Sequence, residues 1–250
     1  MLTAYQLAAL LAAATLGGTL FGMTGFAYGV VTSLFLHHVF PPADVVLIVV
    51  SGGTVLNLLA LPRFAREVRL RLAGPFLLGA ALGLPLGLYV LASMPIRAVR
   101  LAVGVLIIVY CALALRQRHQ ASVQLSPAAA PKVDALVGFV GGVVGGVSGL
   151  GPLIPGVWYG LRGFTKLQQR GLALAYGLFM QGGMTLWMLR GGSASAAAYT
   201  GVALAVPLLV LASWLGMRAF NRFSAQTFQL AVVCICLVGG VVLVGRQLAE

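Results

Sequence analysis

Apolar residues run through this chain in long unbroken blocks, and most of the Lys and Arg residues fall in the short connectors between them. Blocks such as Gly74–Leu91 and Ala225–Val244 lack the in/out alternation of barrel strands and approach the roughly 20 residues a helix needs to cross a bilayer. The pattern predicts eight helical segments, at about 3–40 (interrupted near Gly22–Gly25), 44–61, 72–92, 96–115, 135–161 (interrupted near Gly149–Pro152), 169–189, 196–217 and 225–245. Arg116–Lys132, with Gln, Ser, Ala and two prolines, is the one real linker and divides the chain nearly in half. The expected organisation is a first membrane repeat over 1–116, a cytoplasmic linker over 117–134 and a second repeat over 135–250.

The duplication is carried by glycine. Gly17-Gly18-Thr-Leu-Phe-Gly22-Met-Thr-Gly25 and Gly141-Gly142-Val-Val-Gly-Gly146-Val-Ser-Gly149 share the spacing GG-x3-G-x2-G at an offset of 124 residues. Each copy lies in an apolar segment, so each half is expected to break a helix at the same place, as secondary transporters do where they bind substrate.

At 60% hydrophobic and 8% charged residues the chain lacks the polar surface of a soluble globule, which makes it an all-α integral membrane protein. Its net charge of +12 therefore reads as topology determinants and not as a nucleic-acid surface. If all eight segments crossed, the sixteen Lys and Arg would divide nine against seven between the two sides, with no useful bias. If segments one and five are re-entrant hairpins, twelve of the sixteen fall on one side, in the connectors at 62–71, 116–132, 162–170 and 218–222. The positive-inside rule favours that arrangement. It leaves three crossings per half, an odd number, and so predicts two inverted repeats.

Little in the sequence suits catalysis. The four acidic residues, Asp44, Glu67, Asp134 and Glu250, lie at segment ends or in connectors, whereas cation-driven carriers place a carboxylate within the membrane. Cys111, Cys234 and Cys236 sit in apolar spans as small hydrophobes. No nucleophile–base, metal or nucleotide motif is present, and neither an enzyme, a metal site nor a cofactor is expected.

The interior offers neutral polar groups and broken backbone. Gly22, Thr24 and Gly25 in the first hairpin, and Gly146, Ser148, Gly149, Gly151 and Pro152 in the second, are candidates for an anion site. Glycine admits close approach, Pro152 suits the opening of a helix, and a helix start presents free N–H groups. The alternative is that the glycines only let helices pack closely in lipid. The 124-residue offset also pairs Asn57 with Gln181, two carboxamides able to donate N–H groups to an oxyanion or simply to bridge two helices. Ser51, Thr54 and Tyr176 lie within two turns of them. Arg170 is the candidate for pairing a sulfonate or carboxylate, with a plain interfacial anchor as its alternative. His37-His38 beside Pro41-Pro42 reads as an interfacial turn, with a proton relay as the other reading.

At Gly17–Gly25, at Gly141–Pro155 with its G-x-x-G-G-x-S-G-x-G-P order, and at Gln169-Arg170, the chain resembles the sulfite exporter TauE/SafE family of membrane permeases. The first hairpin departs from that pattern by a thinner glycine run and no proline between Phe26 and Phe40. The resemblance implies a multi-pass carrier of the bacterial inner membrane that moves sulfite, organosulfonates or carboxylates, coupled to protons. A small anion, the bilayer and protons are the implied partners, and a second copy of the chain is a further candidate. A passive anion channel and a non-transporting scaffold for a sulfur-metabolism enzyme are the competing functions.

Overall fold

The computed structural model of the protein describes residues 2–24, 28–116, 123–191 and 194–219, together with 237, 240, 241, 244 and 245. The described residues form helices joined by short turns, with no strand among them, as the apolar blocks require. In chain order they form α1 (Ala4–Thr24), α2 (Tyr28–Leu36), α3 (Pro42–Phe64), a 3₁₀ turn at Ala65–Glu67, α4 (Leu70–Ser93), α5 (Ile96–Arg116), α6 (Ala130–Ser148), α7 (Leu153–Leu161), α8 (Lys166–Gly191) and α9 (Ala196–Ala219). Seven of the eight expected segments reappear, and most of the eighth, 225–245, lies outside the described residues. Six helices, α1, α3, α4, α6, α8 and α9, are long and apolar enough to cross a membrane.

Local chemistry sets the boundaries. Pro42 opens α3 where its missing N–H costs nothing. Thr165 and Gln168 form a reciprocal capping box before α8, Gln168 N donating to Thr165 Oγ1 and Thr165 N to Gln168 Oε1. Gly149 ends α6 at φ 75°, a left-handed geometry that glycine adopts without strain. The break after Ser148 falls where the glycine repeat placed it, α1 ends at Thr24 with 25–27 outside the described residues, and in each half the two arms are unequal. The first arms run 21 and 19 residues, about 31 and 28 Å of helix, and the returning arms α2 and α7 only 9 each.

Three side-chain ties show which connectors share an end of the bundle. Asp134, near the start of α6, accepts from Trp158 Nε1 at 2.7 Å and pairs with Arg162 at the end of α7, so the second hairpin closes on itself. Arg170, near the start of α8, lies over the Phe64 ring at the end of α3, 4.7 Å from its centroid. At the opposite end Asp44 accepts from Ser195 N at 2.8 Å and Ser195 Oγ at 2.7 Å, joining the start of α3 to the start of α9.

The glycines of the repeat pack helices together. Gly18 and Gly22 lie on the α9 backbone at Leu209 and Ser213, while Gly142 and Gly146 lie on the α4 backbone at Ala80 and Gly87. A Cβ at any of these would overlap the neighbouring helix. Gly79, Gly83 and Gly87 repeat the arrangement from the α4 side, so α4 and α6 meet backbone to backbone, the close association that small residues permit in lipid. The two packings correspond: α1 meets α9 as α6 meets α4, and α3 meets α8 across the middle.

Candidate functional site

α3 and α8 run antiparallel, and the buried Ser51, Asn57 and Gln181 lie along their seam. Asn57 Nδ2 donates to Gln181 Oε1 at 2.8 Å, and the two residues stand 124 apart in the chain. Both are almost fully buried, 5% and 6% exposed. The crossing is possible because each amide faces a glycine of the other helix, Gln181 against Gly53 and Asn57 against Gly177. Those glycines are themselves 124 residues apart. A Cβ on Gly53 would come within 2.6 Å of Gln181 Cδ, and one on Gly177 within 2.9 Å of Asn57 Nδ2.

One turn on, Thr54 and Thr185 hydroxyls lie 3.2 Å apart, and each also donates to a carbonyl of its own helix, Val50 O and Gln181 O. Ser51 is buried a turn before Thr54. Beyond them the seam closes on Val46, Leu47, Val50, Met184 and Met188. In the other direction it ends at Phe64 and Arg170. The half-buried Arg170 has its Nε buried without a hydrogen-bond partner, and Arg63 Nη1 reaches Met217 Sδ at 3.0 Å. From end to end the seam thus presents a guanidinium, two carboxamides, two hydroxyls and an apolar plug.

A carboxamide carries two N–H donors and an acceptor oxygen. The bond between Asn57 and Gln181 uses one donor and one acceptor, so the pair itself leaves one N–H of Asn57 and both of Gln181 unspent. Neutral donors of this kind can hold an oxyanion without the tight grip of a fixed counter-charge.

The remaining candidates fall elsewhere. Gly22 and Gly146 face neighbouring helix backbones, and Gly151 packs on Gly145 and Met180. Ser148 Oγ donates to Val144 O and accepts from Leu150 N, and Leu153 N donates to Leu150 O, so the turn at Gly149–Pro152 satisfies these N–H groups internally. Pro152 precedes the first residue of α7, one position from the expected start. The tip packs through apolar atoms, Gly149 against Val49 and Val50 and Leu150 against Gly29 of α2. This contact lies seven or eight residues from Asn57, about 11 Å along α3. Tyr176 points away from the amides and donates to Gly138 O of α6 at 2.9 Å. Thr24 ends α1, with its side chain outside the description, and Gly25 lies outside the described residues. Thr185 was missed in the sequence because its equivalent 124 positions earlier, Leu61, is apolar.

A separate groove of 170 Å³ lies between α5, α6 and α7, lined by Leu106, Val109, Val137, Leu153 and Val157 among others. Its Trp158 N–H is taken by Asp134, which leaves little there for an anion.

The family model for Sulfite exporter TauE/SafE matches residues 10–243 of this 250-residue chain. The chain belongs to the sulfite exporter TauE/SafE family. It is thus a multi-pass member of a family of membrane transporters, and the glycine hairpins and Gln169-Arg170 that suggested the resemblance lie within the matched span. Comparison with curated proteins and with solved structures gave no significant match. In this TauE/SafE protein the α3–α8 crossing brings Asn57, Gln181, Thr54 and Thr185 together in one row.

Proposed function

We propose that this TauE/SafE protein is a proton-coupled, alternating-access carrier of small oxyanions, sulfite, organosulfonates or carboxylates, in the bacterial inner membrane. On this reading 1–116 and 135–250 are inverted repeats joined by a cytoplasmic linker at 117–134. The antiparallel α3–α8 seam, the exchanged packing of α1 on α9 and α6 on α4, and the hairpin closed by Asp134 support the inversion.

The observation that carries the proposal is the Asn57–Gln181 bond. In the closed seam each amide partly satisfies the other. An arriving oxyanion replaces Gln181 Oε1 as acceptor for Asn57 and takes N–H groups from both amides, with Arg170 drawing it into the mouth. The second hairpin's tip, packed on Val49 and Val50, acts as the fulcrum about which the halves rock.

Flux of labelled sulfite, methanesulfonate and acetate into proteoliposomes, with and without an imposed pH gradient, tests the reading. Saturable uptake that responds to the gradient and is lost in Asn57→Leu and Gln181→Met is expected. Flux that never saturates identifies a channel, and absence of flux identifies a non-transporting partner; either rejects the carrier.

A further inference from the structure

The end of the bundle where α2 turns into α3 holds a group of buried polar atoms that the seam does not use. His37 follows α2 in the turn to α3, is 1% exposed, and has neither ring nitrogen hydrogen-bonded. Ser33 lies one turn earlier, its carbonyl accepting from His37 N at 3.0 Å and its buried hydroxyl unpartnered. Arg100, on the first turns of α5, has its Nε buried and unpartnered and acts electrostatically on His37. Buried donors and acceptors are ordinarily paired, so three such groups in one place call for a ligand.

We propose that Ser33, His37 and Arg100 form a second oxyanion site, at the end of the bundle marked by Asp44 and Ser195, which takes up its anion together with a proton. The chemistry follows from what surrounds the imidazole. The charged groups acting on His37 are Arg100 from α5 and His38 from its own turn, both of one sign. Asp44, the carboxylate at the start of α3, is occupied by Ser195. Burial first, and those positive charges second, push His37 down to about 3, so the empty site holds a neutral ring. An oxyanion beside Arg100 cancels the repulsion, and the imidazole then gains a proton from solvent and donates both N–H groups. Ser33 supplies a neutral donor, and the guanidinium supplies geometry suited to a planar pair of oxygens.

This extends the carrier reading by giving the proton a place, and its test reads binding instead of flux so that the two can fail separately. Sodium methanesulfonate, whose charge does not change with pH, is titrated calorimetrically into the full-length protein in nanodiscs at about pH 6, in buffers of different ionisation enthalpy. Uptake approaching one proton per bound anion is expected. Arg100→Gln and His37→Gln should each weaken the proton-linked binding by about tenfold or more and abolish the proton uptake, while Asn57→Leu removes only the anion held at the seam and keeps the proton-linked component. Binding without proton uptake, no methanesulfonate binding, or an unchanged Arg100→Gln isotherm overturns the site. If either variant fails to fold, the proton count of the unaltered protein decides.

Discussion

Removing one amide of the Asn57–Gln181 pair should cost more than the pair itself is worth. At 2.8 Å, and with both residues nearly fully buried, the bond has the geometry of a full-strength interaction. Net contributions of such bonds are about 1 kcal/mol, and polar pairs between membrane helices average about 0.6 with a maximum near 1.7. Asn57→Leu or Gln181→Met, however, strands the remaining amide in a buried seam, at a cost of roughly 1–3 kcal/mol. The double variant removes the stranded group and should fall short of the sum of the singles by about 1 kcal/mol. The unbranched Met is needed at 181 because Gly53 admits no wider side chain. Unfolding in mixed micelles with increasing SDS supplies the four free energies. Additivity within about 0.3 kcal/mol would refute the reasoning, since it would mean that the two residues do not interact in the folded protein.

Gly83→Leu or Gly146→Leu drives a side chain into the facing backbone between α4 and α6, and a loss of roughly 1–3 kcal/mol or failure to fold should follow, read by detergent thermal melts. Asp44→Ala removes the cap that Ser195 and the α9 start depend on and should cost about 0.5–2 kcal/mol, read by the same melts. In the absence of anion, His37 binds its proton only after unfolding. Stability should therefore fall as pH drops below about 6.5, by up to roughly 1.4 kcal/mol per pH unit until its folded value of about 3, and His37→Gln should flatten that dependence.

Much of the fold could be read from the chain because a bilayer imposes one rule on every span: apolar for about 20 residues and helical throughout. The hairpin breaks were legible for a different reason, since glycine spacing marks where backbones must approach. The same signal says less about the site. Gly22 and Gly146 were read together with the turns beside them as anion contacts, yet their open faces are filled by α9 and α4, and spacing alone does not reveal which neighbour a glycine faces. Asn57 and Gln181 were found through the repeat, although their bond to each other required the packing of α3 on α8. The ties Asp44–Ser195 and Asp134–Trp158–Arg162 have no local sequence signature, the first spanning 151 residues, and a carboxylate at a segment end looks like any interfacial charge. His37 was read chiefly as an interfacial turn because nothing in Leu36–Pro42 indicates that the chain folds over it.

The central claim is that the anion passes where α3 and α8 cross, and locking that seam tests it most directly. Thr54 and Thr185 hydroxyls lie 3.2 Å apart, within reach of a disulfide between cysteines at those positions once Cys111, Cys234 and Cys236 have been replaced. In proteoliposomes, oxidation of the Thr54→Cys/Thr185→Cys variant should abolish sulfite flux and reduction should restore it. Undiminished flux through fully cross-linked protein would contradict the account.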